Sequence, residues 1–380
     1  MKEKFQRYLH VDADMFFAAI EIQRHPEWKG KAVIIGHPSQ ARSVVSTASY
    51  EARSYGVHSG MPVKTALKLC PNGVFVLPDH TLYSQISRKM FIIFEKFIPD
   101  IQAMSVDEAY ANINSLSLLY DSEEVLAIRL KEEIRSSLGI TVSVGIASTR
   151  LLAKISAGKH KPDGLTIVVP GNEKAFLSEI PVAEVPGIGK KTQTLLHSKN
   201  IVLMRDIYHY SLKELLVQFG STGLYLWNTY HAIEEEVMVC KNPSMSREYT
   251  FDENTSDPEK IKKVLLKLSK DIGFSLRTKQ VTAFTVGIKL RFPPFRTITR
   301  QSTHSTPLQS DLDLYHAVCT LYQPYFWQSL RLIGIFVSNF TQDRALYDEH
   351  EDKKELLDSA MDTVRNKFGK SKLKRLLELS

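Results

Sequence analysis

Residues 7–20 read RYLHVDADMFFAAI, and the fold turns on how this stretch is parsed. Residues 5–12 alternate with the two-residue period of a strand, and Ala13 to Gln23 continue with helical composition. Asp12 is therefore delivered at a strand end, where a carboxylate is partly exposed and stays ionised at little cost. A second acidic pair lies in Ser105-Val106-Asp107-Glu108-Ala109-Tyr110, where Ile101–Val106 and Tyr110–Ile113 read as two arms of a hairpin. Adjacent acids at such a bend can face a third on a neighbouring strand, and a divalent cation relieves the repulsion among them. An all-oxygen set with no His or Cys nearby favours Mg²⁺ over Zn²⁺. Two such ions about 3.5–4 Å apart can activate an attacking hydroxyl and stabilise a leaving phosphate. Taken alone, the same acids also suit a solvated turn.

Working outward, Lys31–Gly36 reads as a short buried strand and Ser46–Tyr55 as a helix stopped by Gly56. Val63–Leu69, Tyr83–Phe97 and Leu126–Leu138 carry helical patterns, and Thr141–Ala147 reads as a strand. Strands and helices thus alternate to residue 167, which predicts an α+β or α/β first domain. Short helices fill 168–235, and Cys240–Ser246 reads as a linker. Beyond it, Lys260–Leu276 and Tyr315–Leu321 are predicted helices, with strands at Phe284–Phe292 and Leu332–Val337. The tail from Asp343 spaces Leu357, Met361, Val364 and Phe368 as one helix face.

A chain of 380 residues exceeds one ordinary core, so two to four domains are expected. The net charge of +7 and a pI near 9.0 suit a polyanionic partner. Three scattered cysteines, Cys70, Cys240 and Cys319, form neither a disulfide framework nor a zinc pattern. The charged N-terminus lacks the apolar centre of a signal peptide, and no apolar run reaches the ~20 residues that span a bilayer. A cytoplasmic, nucleoid-associated protein is the expectation.

Two stretches suit phosphates. In Ser46-Thr47-Ala48-Ser49-Tyr50-Glu51-Ala52-Arg53, Ser46 or Thr47 can cap a helix on whose face Tyr50 and Arg53 lie three apart. Such a helix start, with Lys161 supplied from a loop, can receive a triphosphate; the spacing equally suits an ordinary capped helix. Val185-Pro186-Gly187-Ile188-Gly189-Lys190-Lys191-Thr192 fits a hairpin between two helices. There Gly187 and Gly189 let the backbone approach a DNA phosphate that Lys190 and Lys191 can bind. Residues 277–304 hold Arg277, Lys279, Lys289, Arg291, Arg296 and Arg300 and no acid. Lys289 and Arg291 alternate with apolar residues, so one strand face is expected to be basic and to track a nucleic-acid backbone.

Together these motifs resemble the Y-family of DNA polymerases, nearest its bacterial DNA polymerase IV and archaeal branch. The likeness runs through His10–Ala18, Lys29–Lys31, Ser46–Arg53, Gly56-Val57, Ser59–Pro62, Ser105–Tyr110, Ser143–Ala147, Lys159–Gly164 and Pro186–Gly189. It covers residues 5–240 strongly and 245–340 weakly. The resemblance implies an α+β multidomain right hand: a palm at 1–20 and 79–167, fingers at 21–78, a helical helix-hairpin-helix thumb at 168–238, an α/β little finger at 245–341, and a tail at 342–380. It implies that Asp12, Asp107 and Glu108, helped by the Ala13 carbonyl, hold two Mg²⁺ ions. Thr47, Tyr50, Arg53 and Lys161 would contact the triphosphate, and Val44 and Ser46 would lie over the incoming base pair. Phe17, which the pattern alone reads as a core aromatic, would be the steric gate that excludes a 2′-hydroxyl. Primer–template DNA and dNTPs are the implied partners of a monomeric, low-fidelity enzyme that copies damaged templates without proofreading.

Two departures from the family pattern stand out. The linker Pro243–Arg247 lacks the glycine common there. The segment from Gln342 to Tyr347, with Leu346, resembles a sliding-clamp-binding peptide, but Tyr347 replaces the usual Phe and Asp343 an apolar residue. Two rivals remain for the whole chain: a palm-fold nucleotidyl cyclase, which needs no duplex grip, and a catalytically silent DNA-binding factor, which needs no carboxylates.

Overall fold

The computed structural model describes residues 6–234, 244–342 and 353–368. Two compact units emerge, Met1–Ser39 with Ser43–Val237, and Gln40–Arg42 with Met238–Ser380.

In the first unit the chain runs β1 (Tyr8–Ala13), α1 (Phe16–Arg24), β2 (Val33–Ile35), β3 (Thr47–Ala48), α2 (Tyr50–Ser54), α3 (Val63–Leu69), β4 (Val74–Val76), α4 (His80–Phe97), β5 (Gln102–Ala103) and β6 (Glu108–Asn112). It continues with α5 (Glu123–Leu138), β7 (Val142–Ala147), α6 (Arg150–Lys159) and β8 (Leu165–Ile167), then four short helices, α7 (Glu173–Ser178), α8 (Lys190–His197), α9 (Leu212–Phe219) and α10 (Ser221–Tyr230). The main sheet has the order β5-β6-β1-β7-β8. Its middle strands, β1 and β7, are antiparallel, and β8 runs parallel to β7.

Local chemistry sets these elements. Ser122 caps α5 by accepting from the Val125 amide, and Gly139, at φ 65°, ends it in the left-handed region that favours glycine. Between them Leu126, Leu130, Ile134 and Leu138 form one buried stripe, packed in a cluster with Val142, Val144 and Ile146 of β7. The other face of β7 takes α6. A Cβ on Gly145 would lie 2.1 Å from the Ala153 carbonyl oxygen and 2.4 Å from the Ala157 nitrogen, so only glycine lets that helix lie so close. The consequence is functional, because α6 carries Lys154 to the acidic end of the sheet.

One sequence expectation fails here. Ser46–Tyr55 is not a single helix: Thr47–Ala48 is a strand paired with β2, and only Tyr50–Ser54 is helical. The cap is Ser49, not Ser46 or Thr47; its buried hydroxyl accepts from the Ala52 amide and receives the Val33 amide. Pairing with the buried Val33–Ile35 strand overrides the helical composition of the segment.

The second unit holds β9 (Ser244–Thr255), α11 (Pro258–Thr278), β10 (Thr282–Phe292), β11 (Arg296–Leu308), α12 (Asp311–Tyr322), β12 (Leu330–Thr341) and α13 (Lys353–Phe368). Its antiparallel sheet has the order β11-β10-β12-β9, with both of its edges taken by strands that the sequence did not announce. Residues Ser244–Ser246, expected in a linker, begin β9. Leu265, Ile272, Leu276, Leu314 and Val318 of α11 and α12 pack on Val286, Ile288, Leu290, Ile333 and Ile335 to make the core.

Arg277 corrects the expectation that all six bases of 277–304 serve one outward surface. Its guanidinium is mostly buried and lies 3.0 Å from Asp311, 2.6 Å from Asp362 and 3.6 Å from Asp358. Asp358 also accepts the Asp311 amide at the start of α12. This cluster ties α13 to α11 and α12; burial opposes the charge on the guanidinium, and the three carboxylates outweigh it and keep the group charged and structural. Lys289 is likewise engaged, 2.6 Å from Glu248. The two reach each other across Gly334, which sits between them in the register and leaves the passage clear.

Candidate active site

The register of the first sheet assembles the acids. Asp12 on β1 is the direct partner of Glu108 on β6, and His10 that of Tyr110. Ala13, which ends β1, donates its amide to the Asp107 carbonyl at 2.9 Å, so the bend at 107 is pinned to the strand that bears Asp12. Ligand atoms of Asp12, Glu108 and His10 lie within 4.8 Å of one another. His10 thus corrects the expectation of no histidine nearby: its ring is fully buried, stacks at a tilt on Tyr110 at 4.4 Å, and brings Nε2 to 3.7 Å from Glu108. The Asp107 carboxylate accepts the Ser105 hydroxyl at 2.5 Å.

Two lysines stand against these acids. Lys161 donates to Asp12, and Lys154 Nζ lies 2.6 Å from Glu108. His10 and Lys154 hold the Glu108 carboxyl at about 2, against the opposing effect of burial. Burial pushes the Asp107 carboxyl up, opposed by the Ser105 hydroxyl and reinforced by Asp12 and Glu108. Desolvation lowers His10, which leaves the imidazole neutral near pH 7. Clustered hard oxygens with compensating cations are a donor set that fits divalent metal ions.

A fourth acid, Asp14, is buried and accepts from Thr141 (2.8 Å), Ser143 (2.7 Å) and the Asp163 amide (2.7 Å). Lys131 donates to the carbonyls of Val142, Asp163 and Gly164. These two residues clamp the 161–164 loop onto β1 and β7, and so place Lys161 over Asp12. The sequence showed Asp14 inside its motif but gave no reason to separate it from Asp12; the signal is burial, which composition does not reveal.

Tyr50 is half-buried, with its hydroxyl 3.4 Å from Asp14; Arg53 lies over its ring at 4.8 Å and donates to the Ala48 carbonyl. Thr47 and Ser46 are half-buried at β3, while Val44 is exposed. Phe17, in the first turn of α1, stacks on Tyr83 at 4.3 Å and 16°, and Tyr83 is fixed by a 2.8 Å hydrogen bond to the buried Glu21. Gly187 takes φ 87° and Gly189 caps α8, so the Pro-Gly-Ile-Gly turn exposes its backbone beside Lys190 and Lys191. What precedes this turn is a single 3-10 turn, Val182–Glu184, rather than a full helix. Arg296 and Arg300 are exposed and Arg291 half-exposed. Gln342 is the last described residue before a gap that resumes at Lys353; Leu346 and Tyr347 lie outside the described residues.

Comparison with known proteins decides the family. The impB/mucB/samB family profile matches residues 11–158, its C-terminal domain 242–349, and the IMS family HHH motif 170–201. A DNA polymerase IV of Dehalococcoides mccartyi is 34% identical over 371 residues, covering 96% of this chain and 95% of that protein. One from Methanoculleus marisnigri is 37% identical over 87% of this chain and 93% of its own. The chain belongs to the Y-family of DNA polymerases. Solved Y-family structures agree with the right-hand architecture. A Y-family chimera built on Dbh matches with TM-score 0.76 at 27% identity, covering 88% of this chain and 98% of its own. The insertion ternary complex of Dbh DNA polymerase matches with TM-score 0.64 at 27% identity over the same shares. In this Y-family chain the acidic end of the five-stranded sheet and the Pro186–Gly189 turn therefore belong to one polymerase fold.

Proposed function

We propose that the chain is a template-directed DNA polymerase of the error-prone, lesion-bypass type, adding dNTPs to a primer 3′-hydroxyl by two-metal phosphoryl transfer. The observation that carries the reading is the pairing of Asp12 with Glu108 across β1 and β6, with Asp107 pinned beside them and Lys161 over Asp12. Asp12, Asp107 and Glu108, with the Ala13 carbonyl, would hold two Mg²⁺ ions. When bound, such ions lower the pKa of the primer hydroxyl and offset charge on the triphosphate.

The chain's own groups do the rest. Lys161, Arg53, Tyr50 and Thr47 receive the triphosphate, and Lys161, which donates to Asp12, stands beside the metal-binding acids. Lys154 and His10 keep Glu108 ionised and oriented. Val44 and Ser46 cover the base pair, and Phe17 faces the sugar. Residues 1–20 with 79–167 act as palm, 21–78 as fingers, 168–238 as thumb and 245–341 as little finger. Partners are primer–template DNA and dNTPs, bound by a monomer, with a sliding clamp engaged through Gln342, Leu346 and Tyr347. Among the described residues no helix is long and apolar enough to cross a membrane.

The test is primer extension on undamaged and abasic templates with Mg²⁺ or EDTA. Metal-dependent extension past the abasic site, with no excision of a mismatched 3′ end, is expected. A failure to extend the undamaged primer overturns the reading in favour of the silent DNA-binding rival; cyclic nucleotide from a dNTP alone favours the cyclase.

The DNA grip has its own test, revised by the structure. With Arg277 buried and Lys289 paired, Arg291, Arg296 and Arg300 are the proposed phosphate contacts. At ~0.9 ions released per contact, changing all three to alanine should reduce the slope of log K against log salt by about 3. An unchanged slope removes this surface from the DNA site.

A further inference from the structure

Large apolar side chains are rare on the surface of the second unit. Within residues 244–342, only Phe295 and Trp327 stand out, at 63% and 76% exposure. Both lie at one end of the sheet. Phe295 closes the turn between β10 and β11, whose last partners are Phe292 and Arg296. Trp327 lies just before β12, whose Leu332 pairs with Arg291 at that same end. Side-chain contacts join the two segments. Arg331 places its guanidinium 4.5 Å from the centre of the Phe295 ring, Tyr325 lies 6.4 Å from Phe292, and Arg300 lies over Tyr325 at 5.7 Å.

The backbone holds these rings outward at a cost. Phe295 has φ 114° and Trp327 φ 69°, the left-handed side that bulky L-residues disfavour. Strain at two aromatics that stay mostly exposed returns little stability to the fold itself. Arg331 lies over Phe295, Arg296 over Phe292 and Arg300 over Tyr325, so positive charge stands beside the rings. Phosphates alone would thus be drawn locally, and the faces of the rings are the remaining recognition element.

We propose that Phe295 and Trp327 form a stacking platform for unpaired bases of single-stranded DNA continuous with the duplex that the enzyme grips. Bases in a duplex already stack on one another and offer no free face. Bases in an overhang do, and they stack on aromatic rings whatever their sequence. Arg331, on one face of Phe295, completes the platform by adding charge next to the ring. A lesion-bypass enzyme gains from sequence-tolerant holding, because a damaged strand still offers faces to stack. This inference rests on the polymerase reading of the chain.

Equilibrium binding of the full chain to three hairpin DNAs tests it: a blunt duplex, the same duplex with a short oligothymidine 5′ overhang, and one with an abasic overhang of equal length. The wild type should bind the thymidine overhang more tightly than the other two. The double variant Phe295→Ala, Trp327→Ala should lose about fivefold or more on the thymidine overhang and nothing on the blunt or abasic DNAs. Trp327→Phe, which keeps a ring, should retain most of the preference. Equal affinity of the wild type for all three DNAs, or equal weakening of all three by the double variant, overturns the platform; a surface for a protein partner would give the former. Primer extension by the wild type, read on the same overhang DNA, reports separately on the polymerase reading.

Discussion

Asp107→Ala is expected to reduce primer extension by at least about a thousandfold, the equivalent of ~4 kcal/mol in the barrier, while duplex binding persists. The substitution spares the fold. The backbone carbonyl at 107, which receives the Ala13 amide, survives, and among the described residues the side chain's hydrogen-bond partner is Ser105. A partly buried carboxylate whose pKa is raised, by burial first and then by the charges of Asp12 and Glu108, costs stability where it stands. The urea midpoint should therefore hold or rise. Asp12 and Glu108 are already countered by Lys161 and Lys154, so no other carboxylate of the bend can take over the lost charge. Asp107→Asn, which keeps shape and removes charge, should lose as much. Extension near the wild-type rate in either variant would take Asp107 out of the metal site.

How far the sequence led depended on whether a feature is local. The strand before Asp12, the hairpin around Asp107–Glu108 and the buried stripe of α5 are written in period and capping, and they appear where expected. The edge strands were illegible. In β11, RTITRQSTHSTPL, only Pro307 is fully buried, so both faces are polar and no alternation survives. β9 is exposed along most of its length for the same reason. The helix expected from Ser46 was lost to long-range pairing with β2, which no local pattern encodes. Within the site, Asp12 and Glu108 were singled out because acids at strand ends are conspicuous. His10, Asp14 and Lys131 were missed because their roles depend on burial and on distant partners, which for Asp14 lie more than a hundred residues away. Arg277 was misread for a related reason: an acid-free stretch of sequence says nothing about acids that fold back onto it from Asp311, Asp358 and Asp362.

Phe17→Ala is expected to admit ribonucleotides, raising the ratio of ribo- to deoxyribonucleotide incorporation by about a hundredfold. The figure follows from the ~1–3 kcal/mol that one extra heavy atom costs against a wall that does not yield. The wall here is well supported. Phe17 lies nearly parallel to Tyr83 at 4.3 Å, with His80 edge-on at 6.0 Å. Tyr83 is itself buried and held by Glu21, which is buried and paired with Arg24 at 3.3 Å. A ring so backed cannot swing aside for a 2′-hydroxyl without breaking packing behind it. Tyr83→Leu should therefore soften the gate and give an intermediate ratio, because it removes the ring that backs Phe17. If Phe17 were only a core aromatic, both variants would lower stability and leave sugar selectivity where it was. Unchanged selectivity in Phe17→Ala, with deoxynucleotide incorporation intact, would place the gate on another residue.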